Sequence, residues 1–106
     1  MFRKHFFSMK LKSYNTVMWY IYILLCRDRS LYTGITDNPK RRFQEHKSGK
    51  GSRYTRSHKP VKIIHLEKHK TKSEALKREM EIKAWRREEK ITKFHLGKYI
   101  YNKRKL

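Results

Sequence analysis

The most constraining stretch of this chain is the apolar run Trp19-Tyr-Ile-Tyr-Ile-Leu-Leu-Cys26. It is far shorter than the ~20 residues that cross a bilayer as a helix. Its β-branched and aromatic residues read as a strand. Elsewhere the chain is dominated by charge, with 29 Lys and Arg against 9 Asp and Glu in 106 residues, a formal net charge of +20. Leu, Ile, Val and Phe make up little more than a fifth of it, close to the ~20% line below which highly charged chains stay disordered. The apolar residues are unevenly spread, so part of the chain can still build a core.

The length allows one domain, which excludes a multi-domain enzyme and a cofactor cleft between two lobes. So basic a balance implies a polyanionic partner, nucleic acid first and an anionic membrane surface second. Cys26 is the only cysteine. A disulfide framework and a thiolate zinc cluster are therefore excluded, an intracellular protein is the simplest reading, and Cys26 itself is expected to pack. The six histidines show no HExxH or paired metal spacing. Residues 1–17 are basic, aromatic and acid-free, and are expected to be a dispensable extension. A domain over 18–97 and a flexible basic tail over 98–106 complete the expected organisation.

Within that domain, Arg27–Ser30 reads as a turn and Leu31–Ile35 as a second strand. Thr36-Asp-Asn-Pro39 then starts a helix, with Asp37 or Asn38 as its cap, that runs from Pro39 to Ser48 and stops at Gly49. Gly49–His58 reads as a polar loop and Val61–Leu66 as a third strand. Thr71-x-x-Glu74 has capping-box spacing and opens a helix over Ser73–Trp85; a last helix spans Arg87–Leu96. The order is ββαβαα, an α+β fold with a small three-stranded antiparallel sheet flanked by helices.

Four features bear on chemistry. Tyr20 and Tyr22 share a strand face, and Tyr32 joins them if the strand register sum is even; such a cluster suits a polar seam of the core as well as a site. Arg42 and His46 lie four apart on one helical face. On the Ser73–Trp85 helix, Ala75, Leu76, Met80 and Ile82 form a broad apolar arc with Glu79 in its middle, while Glu74, Arg78 and Glu81 fall outside. A carboxylate so placed requires an ion pair or a cation. The segment from Lys40 to Lys62 carries nine Lys or Arg and one acid, with Tyr54 inside it, which suits a phosphate groove with a stacking side chain.

Tyr20-Ile21-Tyr22 followed by Tyr32-Thr33-Gly34 resembles the bipartite signature of the GIY-YIG nuclease superfamily. The likeness continues through Gly34-Ile-Thr-Asp-Asn-Pro-Lys-Arg-Arg42-Phe-x-x-His46, Ser48-Gly-Lys-Gly51, Tyr54-Thr-Arg56 and Ser73–Lys83. It is strongest toward the small stand-alone bacterial members and the nuclease domain of branched-DNA resolvases. The resemblance implies an endonuclease that hydrolyses DNA phosphodiester bonds with one divalent cation, Mg²⁺ or Mn²⁺, whose sole protein ligand is Glu79. Tyr22 and Tyr32 would border the scissile phosphate, either one activating the water. Arg42 would stabilise phosphoryl charge, and His46 would orient the nucleophile or the phosphate. Gly34 would permit close approach, Lys83 would reach a phosphate, and Lys50, Arg53, Tyr54 and Arg56 would hold nucleic acid. Ile35 stands where excision-repair members carry Lys. The competing expectations are a non-catalytic nucleic-acid-binding module on the same scaffold and an RNA- or ribosome-associated basic protein.

Overall fold

The computed structural model describes residues 17–101. In chain order they form β1 (Trp19–Cys26), β2 (Leu31–Thr36), α1 (Pro39–Lys47), α2 (Arg53–His58), β3 (Pro60–His69), α3 (Lys72–Lys83), α4 (Arg87–Lys93) and α5 (Gly97–Tyr101). The sheet order is β2-β1-β3, with both pairings antiparallel. The fold is α+β, a three-stranded antiparallel sheet with five helices.

β1 is the central strand, which explains its unbroken apolar text. Ile21 to Cys26 are all buried, and Ile21, Ile23, Leu24, Leu25 and Cys26 have no exposed surface. Burial of one such aliphatic side chain contributes about 1.5–3 kcal/mol. Ile23 and Leu25 pack with Ile91, Leu96 and Ile100, and Ile21 packs with Ala75 and Ile82. Helices α3, α4 and α5 thus cover one face of the sheet. Burial also raises the Cys26 thiol above its ordinary pKa, as suits a packing residue.

The β1–β2 turn is closed by Cys26 N–H donating to Ser30 O at 3.0 Å. Inside it, the Asp28 carboxylate accepts from both the backbone N–H and the hydroxyl of Ser30. The resulting register sets Tyr22 opposite Gly34 and Leu24 opposite Tyr32. Tyr20, Tyr22 and Tyr32 therefore share a face, as an even register sum requires.

Caps define the helices. Asn38 caps α1 by accepting from Arg41 N–H at 3.1 Å, with Pro39 in the first turn. Thr71 caps α3 by accepting from Glu74 N–H.

Four local expectations are corrected. The expected loop 49–58 contains α2, where Ser52 and Thr55 form a reciprocal capping box. The helix expected to reach Leu96 ends at Lys93, and His95 takes φ +56°. The tail expected from Lys98 begins instead as α5, whose Ile100 is part of the core; residues 102–106, like 1–16, lie outside the described residues. The buried stripe of α3 is centred on Ala75 and Ile82, leaving Leu76 and Met80 exposed. Arg78, expected to lie outside the packed arc, is half-buried beside Trp85 and Phe94. It donates two hydrogen bonds to Glu67, at 3.0 and 2.9 Å. Burial opposes the charge on Glu67, but bonds from Arg78, His65 and His69 outweigh it and hold the carboxyl down at about 2.

Candidate active site

The sheet face opposite the α3–α5 layer carries the polar chemistry. Tyr22 points from β1 toward α1, where its hydroxyl meets His46 Nε2 at 2.8 Å. His46 is 1% exposed, and its Nδ1 meets Thr55 Oγ1 of α2 at 2.8 Å. The Thr55 hydroxyl also reaches Ser52 O at 3.1 Å and accepts from Ser52 N–H at 3.2 Å. One buried chain of bonds thus joins β1, α1 and α2 and holds the imidazole ring by both nitrogens.

Two glycines make room for this chain. A Cβ on Gly34 would overlap the Tyr22 phenol, and one on Gly51 would overlap the His46 imidazole. Gly34 therefore admits the Tyr22 ring, a different use from close approach of a ligand. Gly51, Ser52 and Thr55 were not singled out from the sequence. The local signal was present in Ser52-x-x-Thr55, which has helix-capping spacing.

Both ends of the Tyr22–His46 bond are shifted away from charge. Burial first, and then Tyr32, push the Tyr22 phenol up to about 12, against the lowering effect of Arg42 and with Glu79 adding to the rise. Burial and the charge of Arg42 hold His46 down at about 4, against the opposing pull of Glu45. At neutral pH the pair is a neutral phenol hydrogen-bonded to a neutral imidazole.

Around this pair stand the other predicted site residues. The Tyr32 ring lies 6.2 Å from that of Tyr22 and 5.2 Å from His46, centroid to centroid. Arg42, one turn before His46, donates to Glu45 at 2.8 Å. Glu79 sits on the α3 face between Ala75 and Ile82, its side chain 15% exposed, with Lys83 Nζ at 3.2 Å. An ammonium already holds one carboxylate oxygen of Glu79, so the position accepts positive charge. Among the described residues no three His, Cys, Asp or Glu side chains converge as a metal centre. A lone carboxylate fits one hard cation that keeps most of its water, and does not fit a metal needing three protein ligands.

The basic segment divides. Arg56 lines a cavity on the side of His46 and Thr55 away from Tyr22, while Lys50 and Arg53 are exposed. Tyr54 is less open to a base than its sequence position suggests. Its ring stacks on His58 at 3.9 Å and 4° and lies 5.7 Å from Tyr32, so His58 occupies the face a base would need.

The buried imidazole makes a stability prediction. The unfolded chain protonates His46 near its ordinary 6.5, while the fold resists protonation until about 4. Between those values the unfolded state binds more protons, so stability is full above about pH 6.5 and falls as pH drops. The expected loss is about 2 kcal/mol by pH 5. Thermal melts at pH 7.5 and 5 should show it in the parent and not in His46→Gln; equal slopes would assign it to other groups.

Comparison with known proteins bears on the family and the fold. The GIY-YIG catalytic domain family matches residues 18–92. A UPF0213 protein of Cupriavidus necator is 57% identical over 65 residues, 61% of this chain and 71% of that protein. One from Haloquadratum walsbyi is 51% identical over 71 residues, 67% of this chain and 80% of the relative. The solution NMR structure of a UPF0213 protein from Bacillus halodurans aligns at TM-score 0.50 and 39% identity, covering 74% of this chain and 84% of that one. The solution NMR structure of an E. faecalis protein aligns at TM-score 0.50 and 48% identity, covering 74% and 88%. No helix among the described residues is long and apolar enough to cross a membrane. With its catalytic-domain match running from Met18 to Thr92 and its Tyr22, Gly34, Arg42, His46 and Glu79 gathered on one scaffold, the chain belongs to the GIY-YIG family, in the small stand-alone UPF0213 group.

Proposed function

We propose that this protein is a metal-dependent endonuclease that hydrolyses DNA phosphodiester bonds, with branched DNA as the substrate class to test first. The observation that carries the reading is the Tyr22 hydroxyl, held 2.8 Å from the Nε2 of the buried His46, whose other nitrogen is held by Thr55. That chain of bonds fixes the phenol oxygen where it can orient a water.

Magnitudes decide how far that pair acts as a base. With Tyr22 near 12 and His46 near 4, proton transfer between them at rest is steeply unfavourable. The pair holds the attacking water by a hydrogen bond and accepts its proton as the new O–P bond forms, while the P–O bond to the leaving sugar oxygen breaks and that oxygen takes a proton from solvent. Tyr32 has no hydrogen bond to His46 and shapes the site as a neighbour. Arg42 supplies a permanent, planar charge for the phosphoryl oxygens, and Lys83 offers a second cation once released from Glu79. Glu79 would hold Mg²⁺ or Mn²⁺, which when bound supplies positive charge at the phosphate and lowers the pKa of water.

The test is a cleavage panel of duplex, flap, fork and Holliday-junction DNA with Mg²⁺ or Mn²⁺, against the same reactions in chelator. Tyr22→Phe is expected to lower cleavage by about 10²–10⁴-fold, the usual reach of one proton-transfer group, and Tyr32→Phe by much less. Metal-independent retention of every substrate, with DNA still bound, would leave a binding module instead.

A further inference from the structure

Arg27, Lys47, Arg56 and Lys59 surround one cavity of about 680 Å³, whose inner wall is the buried pair His46 and Thr55. Arg27 comes from the β1–β2 turn, outside the basic segment that the sequence singles out. The backbone builds the cavity at some conformational cost. Gly49 turns the chain after α1 at φ +85°, and Lys59 turns it from α2 into β3 at φ +47°, a region that side chains rarely adopt. Arg27 N–H pins this corner by donating to His58 O and Lys59 O, at 3.2 and 3.0 Å.

The charge around the cavity is uncompensated. No acid lines it. Arg41, Arg42, Arg78 and Lys83 each have a carboxylate partner, whereas none of the four cavity cations forms an ion pair among the described residues. Helices α1 and α2 both end here, and each carbonyl end brings at most about half a negative charge. Roughly three positive charges remain without partners, more than capping the helices requires. The cavity also stands apart from the candidate active site. Tyr22 bonds to one nitrogen of His46, and the cavity lies on the Thr55 side of the same ring.

We propose that this cavity is a second phosphate-binding site, which grips the sugar–phosphate backbone of the substrate away from the scissile bond. The proposal rests on nucleic acid being the substrate. Bound there, the backbone fixes the register of the strand relative to Tyr22 and Arg42 without reading bases.

The experiment uses the full chain carrying Glu79→Gln, so that DNA stays intact. Affinity for a labelled duplex is measured across salt concentrations for this parent, for Arg27→Ala/Lys59→Gly, and for Lys70→Ala/Lys77→Ala. The last pair removes the same charge elsewhere; Lys70 follows the far end of β3, roughly 30 Å from Pro60 along the strand. The cavity pair should weaken binding at least tenfold and make the salt slope shallower by about two; the control pair should change affinity by less than threefold. Glycine relieves the φ of residue 59 and Arg27 keeps its backbone donor, so the cavity variant should melt no lower than the parent, which separates lost contacts from lost folding. Inorganic phosphate, titrated at constant ionic strength, identifies the source of the bound group. Displacement of DNA from the parent but not from the cavity variant shows a site open to the free anion. Cavity-dependent DNA binding without such displacement shows a site for the polymer backbone. Equal losses in the cavity and control pairs would overturn the proposal. Cavity-dependent binding in this background, together with a chain that retains Glu79 and still cuts none of the panel substrates with Mg²⁺ or Mn²⁺, would overturn the nuclease reading alone.

Discussion

Glu79→Gln is expected to reduce strand cleavage by about 10²–10³-fold while DNA affinity holds or tightens. A divalent cation supplies several kcal/mol of charge stabilisation in phosphoryl transfer, and each 1.36 kcal/mol is a factor of ten in rate. Glutamine keeps the size of the side chain but removes its charge. It also releases Lys83, now 3.2 Å from Glu79, which is why binding should not weaken. Single-turnover cleavage and equilibrium binding, measured on the same preparation, check both halves of this prediction. Cleavage within threefold of the parent would exclude Glu79 as the metal ligand, whatever else the protein does.

Gly51→Ala is expected to lower stability by about 2 kcal/mol, near 10 °C in melting temperature for a domain of this size, and to lower cleavage with it. The added methyl would overlap the His46 ring. That ring is 1% exposed and bonded at both nitrogens, so it cannot yield without breaking its link to Tyr22 or Thr55. Two further variants separate packing from chemistry. Gly49→Ala adds a methyl 3.8 Å from Arg56 Cγ, with only the left-handed φ of Gly49 to oppose it. It should destabilise while leaving the Tyr22–His46 bond in place. Thr55→Val removes the hydrogen-bond partner of His46 Nδ1 and should lower cleavage with a smaller change in melting temperature than Gly51→Ala. Crystal or NMR structures showing His46 undisturbed in Gly51→Ala would contradict the packing argument.

Much of the site was legible in the sequence because its elements are local. The run Trp19–Cys26 could only be a buried strand, and Asn38-Pro39 and Thr71-x-x-Glu74 mark helix starts by chemistry that acts within one turn. Spacing alone put Arg42 and His46 on one face and Tyr20 and Tyr22 on another, whereas Tyr32 joins the tyrosines through the β1–β2 register that the structure fixes. Glu79 stood out as an acid among apolar neighbours, and the structure keeps it mostly buried. The arc around it was misplaced, since Leu76 and Met80 are exposed. A helical wheel shows which residues lie together but not which side meets the sheet.

Helices α2 and α5 escaped for a related reason. Neither carries the apolar periodicity that marks a helix in sequence. α2 is held by the Ser52–Thr55 capping box and by the bond from His46, and α5 by packing of Ile100 against Leu25 and Leu96. Such short helices do not form alone, because nucleation is costly and few bonds follow it. Their partners come from β1 and α1, distant in sequence.

By itself the sequence determined the central strand, the sheet-and-helix order and the residue types gathered at the site, because hydrophobic runs, caps and spacing act over a few residues. Only the tertiary structure decided that Tyr22 and Thr55 bond to the two nitrogens of a buried, neutral His46, that glycines 34 and 51 leave room for two rings, and that four cations from separate elements share one cavity. Those are contacts between segments far apart in the chain. They arise from burial and from the need to satisfy every buried donor and acceptor, which no local pattern records.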